Sequence, residues 1–291
     1  EASRIAFLAS GGKRSFTQAV FQLGGNSGSA LAPLLVIMVV FTKKIVDGQL
    51  VEESHLERLV WFVLFPALAI VILLFIGAWR KKLLKQTQTL KKREIPLPDL
   101  THAQVRNSVI ILMFLVFSKN FYTAGISNYF QFYTIKTFGF TNAEAQLYLF
   151  YYLGAAAAGT LIGGFFGDKV GRKFIIWFSI LGAAPFALWL PYADAKTTAV
   201  LVVLIGFIIS SAFASILVYA QELLPKKIGM ISGVFYGFAF GMAGLGSAVL
   251  GKLIDMTSIT FVYKVCSFLP LMGLTAYFLP NLRKVKTKLS E

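Results

Sequence analysis

The chain has 291 residues; 57% are hydrophobic, only 14% are charged, and its mean hydropathy is +0.71. A soluble domain carries roughly 25% charged residues, so a water-solvated globular domain is excluded. The net charge of +15 is spread in short blocks between apolar runs, not gathered on one basic face, which excludes a nucleic-acid-binding domain.

A bilayer core of about 30 Å needs roughly 20 apolar residues per helix. Eight stretches qualify: 16–41, 59–79, 107–135, 145–167, 173–192, 197–221, 228–254 and 258–280. They are too long for strands and show no strict alternation, so a β-barrel is excluded. The predicted fold is an all-α integral membrane protein.

The chain starts at Glu1 with neither Met nor signal peptide, and an N-terminal truncation is expected. The first span carries Gly24, Gly28, Ala32 and Pro33, small residues that let helices approach closely in lipid. After the second span, residues 80–106 are rich in Lys, Arg, Gln and Thr and contain Pro96 and Pro98; they read as a linker between two helical bundles. The third span holds Lys119 near its centre, where a charge is costly and marks a functional hypothesis. Lys119, Tyr122, Ile126, Tyr129 and Tyr133 share one helical stripe, flanked by Asn120, Ser127 and Gln131. That stripe is a candidate cavity wall for an anionic or polar solute; the alternative is a lysine paired structurally.

The fourth span has Ala155, Gly159, Gly163 and Gly167 in a four-residue register, and the seventh has Gly229, Gly233, Gly237 and Gly241. Such ladders mark tight helix crossings, static or moving. Glu222 closes the sixth span and is either a structural partner of Arg172 or of the Lys226-Lys227 pair, or a proton-binding gate acid. Lys264, early in the last span, is read as structural.

Loop charges orient the spans. Twenty Lys and Arg fall in 1–15, 80–106, 168–173, 222–227 and 281–291, against six on the opposite side. The positive-inside rule places the former set, and so the C-terminus, in the cytoplasm of a cell membrane. His55, His102 and Cys266 are isolated from one another in sequence, so no metal site is expected. No phosphate loop or nucleophile–base set appears, so neither cofactor nor enzymatic activity is expected.

Between the fourth and fifth spans runs Gly164-Phe165-Phe166-Gly167-Asp168-Lys169-Val170-Gly171-Arg172-Lys173. This G-x-x-x-D-[RK]-x-G-[RK]-[RK] pattern, an acid, three bases and three glycines at fixed spacing, resembles the signature of the major facilitator superfamily. Asp168 can accept hydrogen bonds at a helix N-terminus, where the macrodipole favours an anion. Arg172 or Lys173 can pair with the carboxylate. In the superfamily the loop is implied to act as a cytoplasmic gate.

A closer resemblance, to fosmidomycin-resistance-type drug exporters, covers nearly the whole chain. It rests on segments such as Ala9-Ser10-Gly11-Gly12, Phe21-Gln22-Leu23-Gly24-Gly25-Asn26, Phe117-Ser118-Lys119 and Val218-Tyr219-Ala220-Gln221-Glu222-Leu223-Leu224-Pro225. It implies twelve helices in two six-helix bundles, about eight of them present here. Residues 1–79 are then the remnant of the N-terminal bundle, 80–106 the linker, 107–283 the C-terminal bundle and 284–291 a basic tail. It also implies proton-coupled efflux of small drugs by a monomer in the inner membrane. A metabolite or sugar uptake symporter and a non-transporting sensor or remnant stay open as alternatives. The 291-residue piece alone is expected not to transport.

Overall fold

The computed structural model describes residues 10–46, 49–87, 97–282 and 287–288. Arg4, part of the 80–106 linker and most of the basic tail lie outside the described residues. The chain divides into two compact units, residues 35–95 and residues 1–34 with 96–291. The division falls inside helix α1 (Arg14–Val40), just past Pro33, which removes an N–H from the helical ladder.

In the 35–95 unit, the end of α1 leads into strands β1 (Phe41–Val46) and β2 (Gln49–Ser54), paired antiparallel with Phe41 opposite Ser54. A 3-10 turn (Leu56–Val63) then runs into α2 (Leu64–Thr87). The span Leu56–Phe75 is strongly apolar, and none of its most apolar window is buried within the chain. A helix apolar all round meets lipid or other membrane helices, not water.

The larger unit is a helical bundle: α3 (His102–Phe138), α4 (Asn142–Lys169), α5 (Arg172–Leu181), α6 (Ala184–Trp189), α7 (Ala195–Ser210), α8 (Ala212–Leu223), α9 (Ile228–Met256) and α10 (Ile259–Cys266), closed by a 3-10 segment, Leu269–Phe278. α5 with α6, and α7 with α8, each make one membrane crossing, so the described residues contain eight crossings, matching the eight apolar stretches.

Local signals set the ends. Thr101 with Gln104 and Thr141 with Glu144 form capping boxes that satisfy the first N–H groups of α3 and α4. Side chains of α3 feed both core clusters. Leu112, Leu115 and Val116 pack with Ile216 and Phe235, while Tyr122, Ile126, Phe130 and Tyr133 pack with Tyr152 and Tyr263.

The glycine ladders divide. A Cβ built on Gly159 would overlap the Phe207 backbone, and one on Gly163 would overlap Ser211, so α4 crosses α7 and its junction with α8 at backbone contact. Around Gly24, Gly28, Gly233, Gly237 and Gly241 no heavy atom lies within 4 Å of an added Cβ. The tight crossing expected at these five positions is therefore not made by the described residues, none of which comes against these faces.

Candidate functional site

The turn from α4 to α5 is only Val170 and Gly171. Gly171 has φ 120°, a region that side chains with a Cβ rarely enter, and this lets Arg172 open α5 at once. Asp168, in the last turn of α4, thus stands four residues from Arg172.

Asp168 reaches across to the start of α1. Its Oδ1 accepts from the Ser15 N–H at 3.0 Å and its Oδ2 from the Phe16 N–H at 2.9 Å. These are among the orphan donors of the first helical turn, where the dipole is positive. The approach needs small residues: Gly164 lies against Ala19 and Ser15, and Gly167 against Ser15 and Ser215.

Arg172 ties this cap to α8. Its Nη2 donates to Asp168 Oδ1 at 3.1 Å, its Nη1 to Glu222 Oε2 at 2.6 Å and its Nε to Ser15 Oγ at 2.9 Å. Glu222 accepts from Arg14 Nη1 through its other oxygen, also at 2.6 Å. Two carboxylates and two guanidiniums balance in charge, with side chains 12–28% exposed. Charge-assisted hydrogen bonds contribute about 1.5–3 kcal/mol each when well shielded.

The three bases of the motif separate. Arg172 joins the cluster; Lys169 sits over the Phe165 ring at 4.1 Å, and Lys173 donates to the Tyr277 carbonyl at 2.8 Å. Of the partners considered for Glu222 in the sequence, Arg172 holds it, not Lys226 or Lys227. Arg14 and Ser15 were not singled out there; the only signal was their position at the start of a span beside a basic loop.

The tyrosine stripe does not gather around Lys119. Tyr122 and Tyr133 are buried in the core cluster, Tyr129 donates to the Ser247 carbonyl at 2.6 Å, and Asn120 donates to the Val116 carbonyl of its own helix at 2.8 Å. Tyr122 and Tyr129 line a small crevice with Gly125, Tyr263 and Cys266, and Lys119 is not part of it. The physical reason is rotation along the helix: residues on one stripe meet different neighbours at different depths.

Lys119 is 8% exposed, and its ammonium sits over the Phe213 ring, 4.8 Å from the centroid. A lysine at the centre of a membrane helix costs about 2.5–3.5 kcal/mol, and one ring face returns about 0.5–2 kcal/mol. Phe213 packs edge-on against Tyr236, whose hydroxyl accepts from Gln18 Nε2 at 2.8 Å. Further along α1, Asn26 donates to Thr160 Oγ1 at 2.8 Å. One polar face of α1 thus meets the bundle at three depths.

The family model of the Major Facilitator Superfamily matches residues 2–247. The chain belongs to that superfamily. It is 52% identical over 283 residues to the fosmidomycin resistance protein of Escherichia coli (strain K12), covering 97% of this chain and 67% of the relative. It is 37% identical over 289 residues to an uncharacterized MFS-type transporter of Bacillus subtilis (strain 168), covering 98% of this chain and 68% of that protein. A cis,cis-muconate transport protein of Acinetobacter baylyi is 25% identical over 244 residues, 81% of this chain and 55% of the relative. The chain spans about two thirds of the length of the first two. Superfamily membership makes it a multi-pass transporter chain for a small-molecule substrate, and the eight long apolar helices agree.

Proposed function

We propose that the protein is a proton-coupled drug exporter working by alternating access, with Asp168, Arg172, Glu222 and Arg14 as the latch of one gate. The observation that carries this reading is the Asp168 cap on α1. A carboxylate at the end of α4 holds the first turn of α1, and Arg172 joins that contact to Glu222. Such a contact closes one end of a central path when made and opens it when broken.

Efflux of fosmidomycin-like drugs is supported by the 52% identity to the fosmidomycin resistance protein. The bias of twenty cationic residues against six supports an inner-membrane orientation with the latch and the C-terminus in the cytoplasm. Glu222 is the coupling candidate: protonation removes one charge from the cluster and loosens Arg14 and Arg172 together. The domain boundaries 1–79, 80–106, 107–283 and 284–291 and a monomeric state belong to the same proposal.

The test is fosmidomycin tolerance of the host with the gene deleted and then restored as its complete reading frame. Deletion is expected to lower tolerance and restoration to recover it. Unchanged tolerance in both strains refutes the efflux reading.

A further inference from the structure

We infer that Lys119 is the counter-ion for an anionic group, such as a phosphonate or carboxylate, on the transported solute. The inference rests on the transporter reading above and adds the residue that meets the charge of the substrate. Lys119 lies midway along α3 (His102–Phe138), far from either helix end. Among the described residues every acid stands at a helix end, in a strand or in a connection. Glu222 is committed to Arg14 and Arg172.

No described residue offers the Lys119 ammonium an ion pair or a hydrogen-bond acceptor; its contact is the Phe213 ring face. Charges buried in protein or lipid are balanced by a partner, because desolvation otherwise drives the neutral form. An anion on the solute supplies the partner that the described residues do not.

The surroundings are rich in donors. Phe213 is the common neighbour of Lys119 and Tyr236. The Tyr236 hydroxyl accepts from Gln18 and keeps its own proton to donate. Gln22, one turn along α1, lies beside the same hydroxyl with its Nε2 buried and unpartnered among the described residues. An ammonium, a hydroxyl proton and an amide N–H on neighbouring side chains, with no acid among them, suit an anion, and the Phe213 and Phe21 rings pack beside Tyr236.

The complete reading frame is reconstituted in proteoliposomes. Fosmidomycin transport is then competed with phenylphosphonate or with its neutral diethyl ester. The wild type is expected to be inhibited at least about tenfold more strongly by the anion. Lys119→Met is expected to bring that ratio to about one, and Lys119→Arg to keep it. Removing a buried unpaired charge does not threaten folding, and Lys119→Arg reports on the charge in a second variant. An equal response of the wild type to both competitors, or an undiminished ratio in Lys119→Met, overturns the inference while leaving the transporter reading intact. If the wild type moves no fosmidomycin, the efflux reading fails. Thermal-shift binding of phenylphosphonate to the detergent-purified protein then decides the anion site alone: a shift that Lys119→Met abolishes supports it, and no shift overturns it.

Discussion

Arg172→Met is the most direct perturbation of the latch. The substitution keeps an unbranched side chain and removes three contacts at once: to Asp168, Glu222 and Ser15. Asp168 keeps the two α1 N–H groups and Glu222 keeps Arg14, so neither carboxylate is stranded. The Arg172 and Asp168 side chains are only 17% and 12% exposed, so solvent screening is modest. Of the three contacts only the one to Ser15 runs to α1, and a hydrogen bond from a charged group contributes about 1.5–3 kcal/mol. A loss of about 1.5–3 kcal/mol from the closed latch is a shift of roughly 10- to 150-fold in favour of the open one. Spin labels at Lys13 and Lys226, both exposed and flanking the cluster, read this as a distance distribution in a background with the buried Cys266 replaced. The wild type is expected to give one short distance, and Arg172→Met a second, longer population beside it. An unchanged distribution would mean that the cluster does not hold this end, and the latch assignment falls.

Glu222→Gln is expected to slow fosmidomycin export and flatten its dependence on pH, measured as flux at several external pH values; a retained pH profile excludes Glu222 from coupling. Gly163→Val forces bulk into the Ser211 backbone and is expected to lower stability by at least about 1–3 kcal/mol as overpacking. Gly237→Ala, with open space around it, is expected to leave the detergent melting temperature unchanged. Equal melting of the two variants would contradict the close contact between α4 and Ser211. Tyr236→Phe removes the bond from Gln18 and is expected to weaken substrate affinity by about fivefold, near 1 kcal/mol per hydrogen bond, seen in KM with protein abundance unchanged.

The sequence by itself determined the spans, because lipid leaves a crossing segment little choice but a long apolar helix. It also determined the family motif, because the two-residue turn at 170–171 requires Gly171 and fixes Asp168 and Arg172 four residues apart. Only the tertiary structure decided what these groups meet. Asp168 finds the N–H groups of Ser15 and Phe16, more than 150 residues earlier in the chain, and Glu222 finds Arg14 rather than the adjacent Lys226. Helical periodicity says which residues share a face, not what that face touches. The same reason separates Lys119, set against Phe213, from the tyrosines of its stripe, which fill the core. It also separates the closed glycine face of α4 from the open one of α9, two ladders with the same spacing but different neighbours.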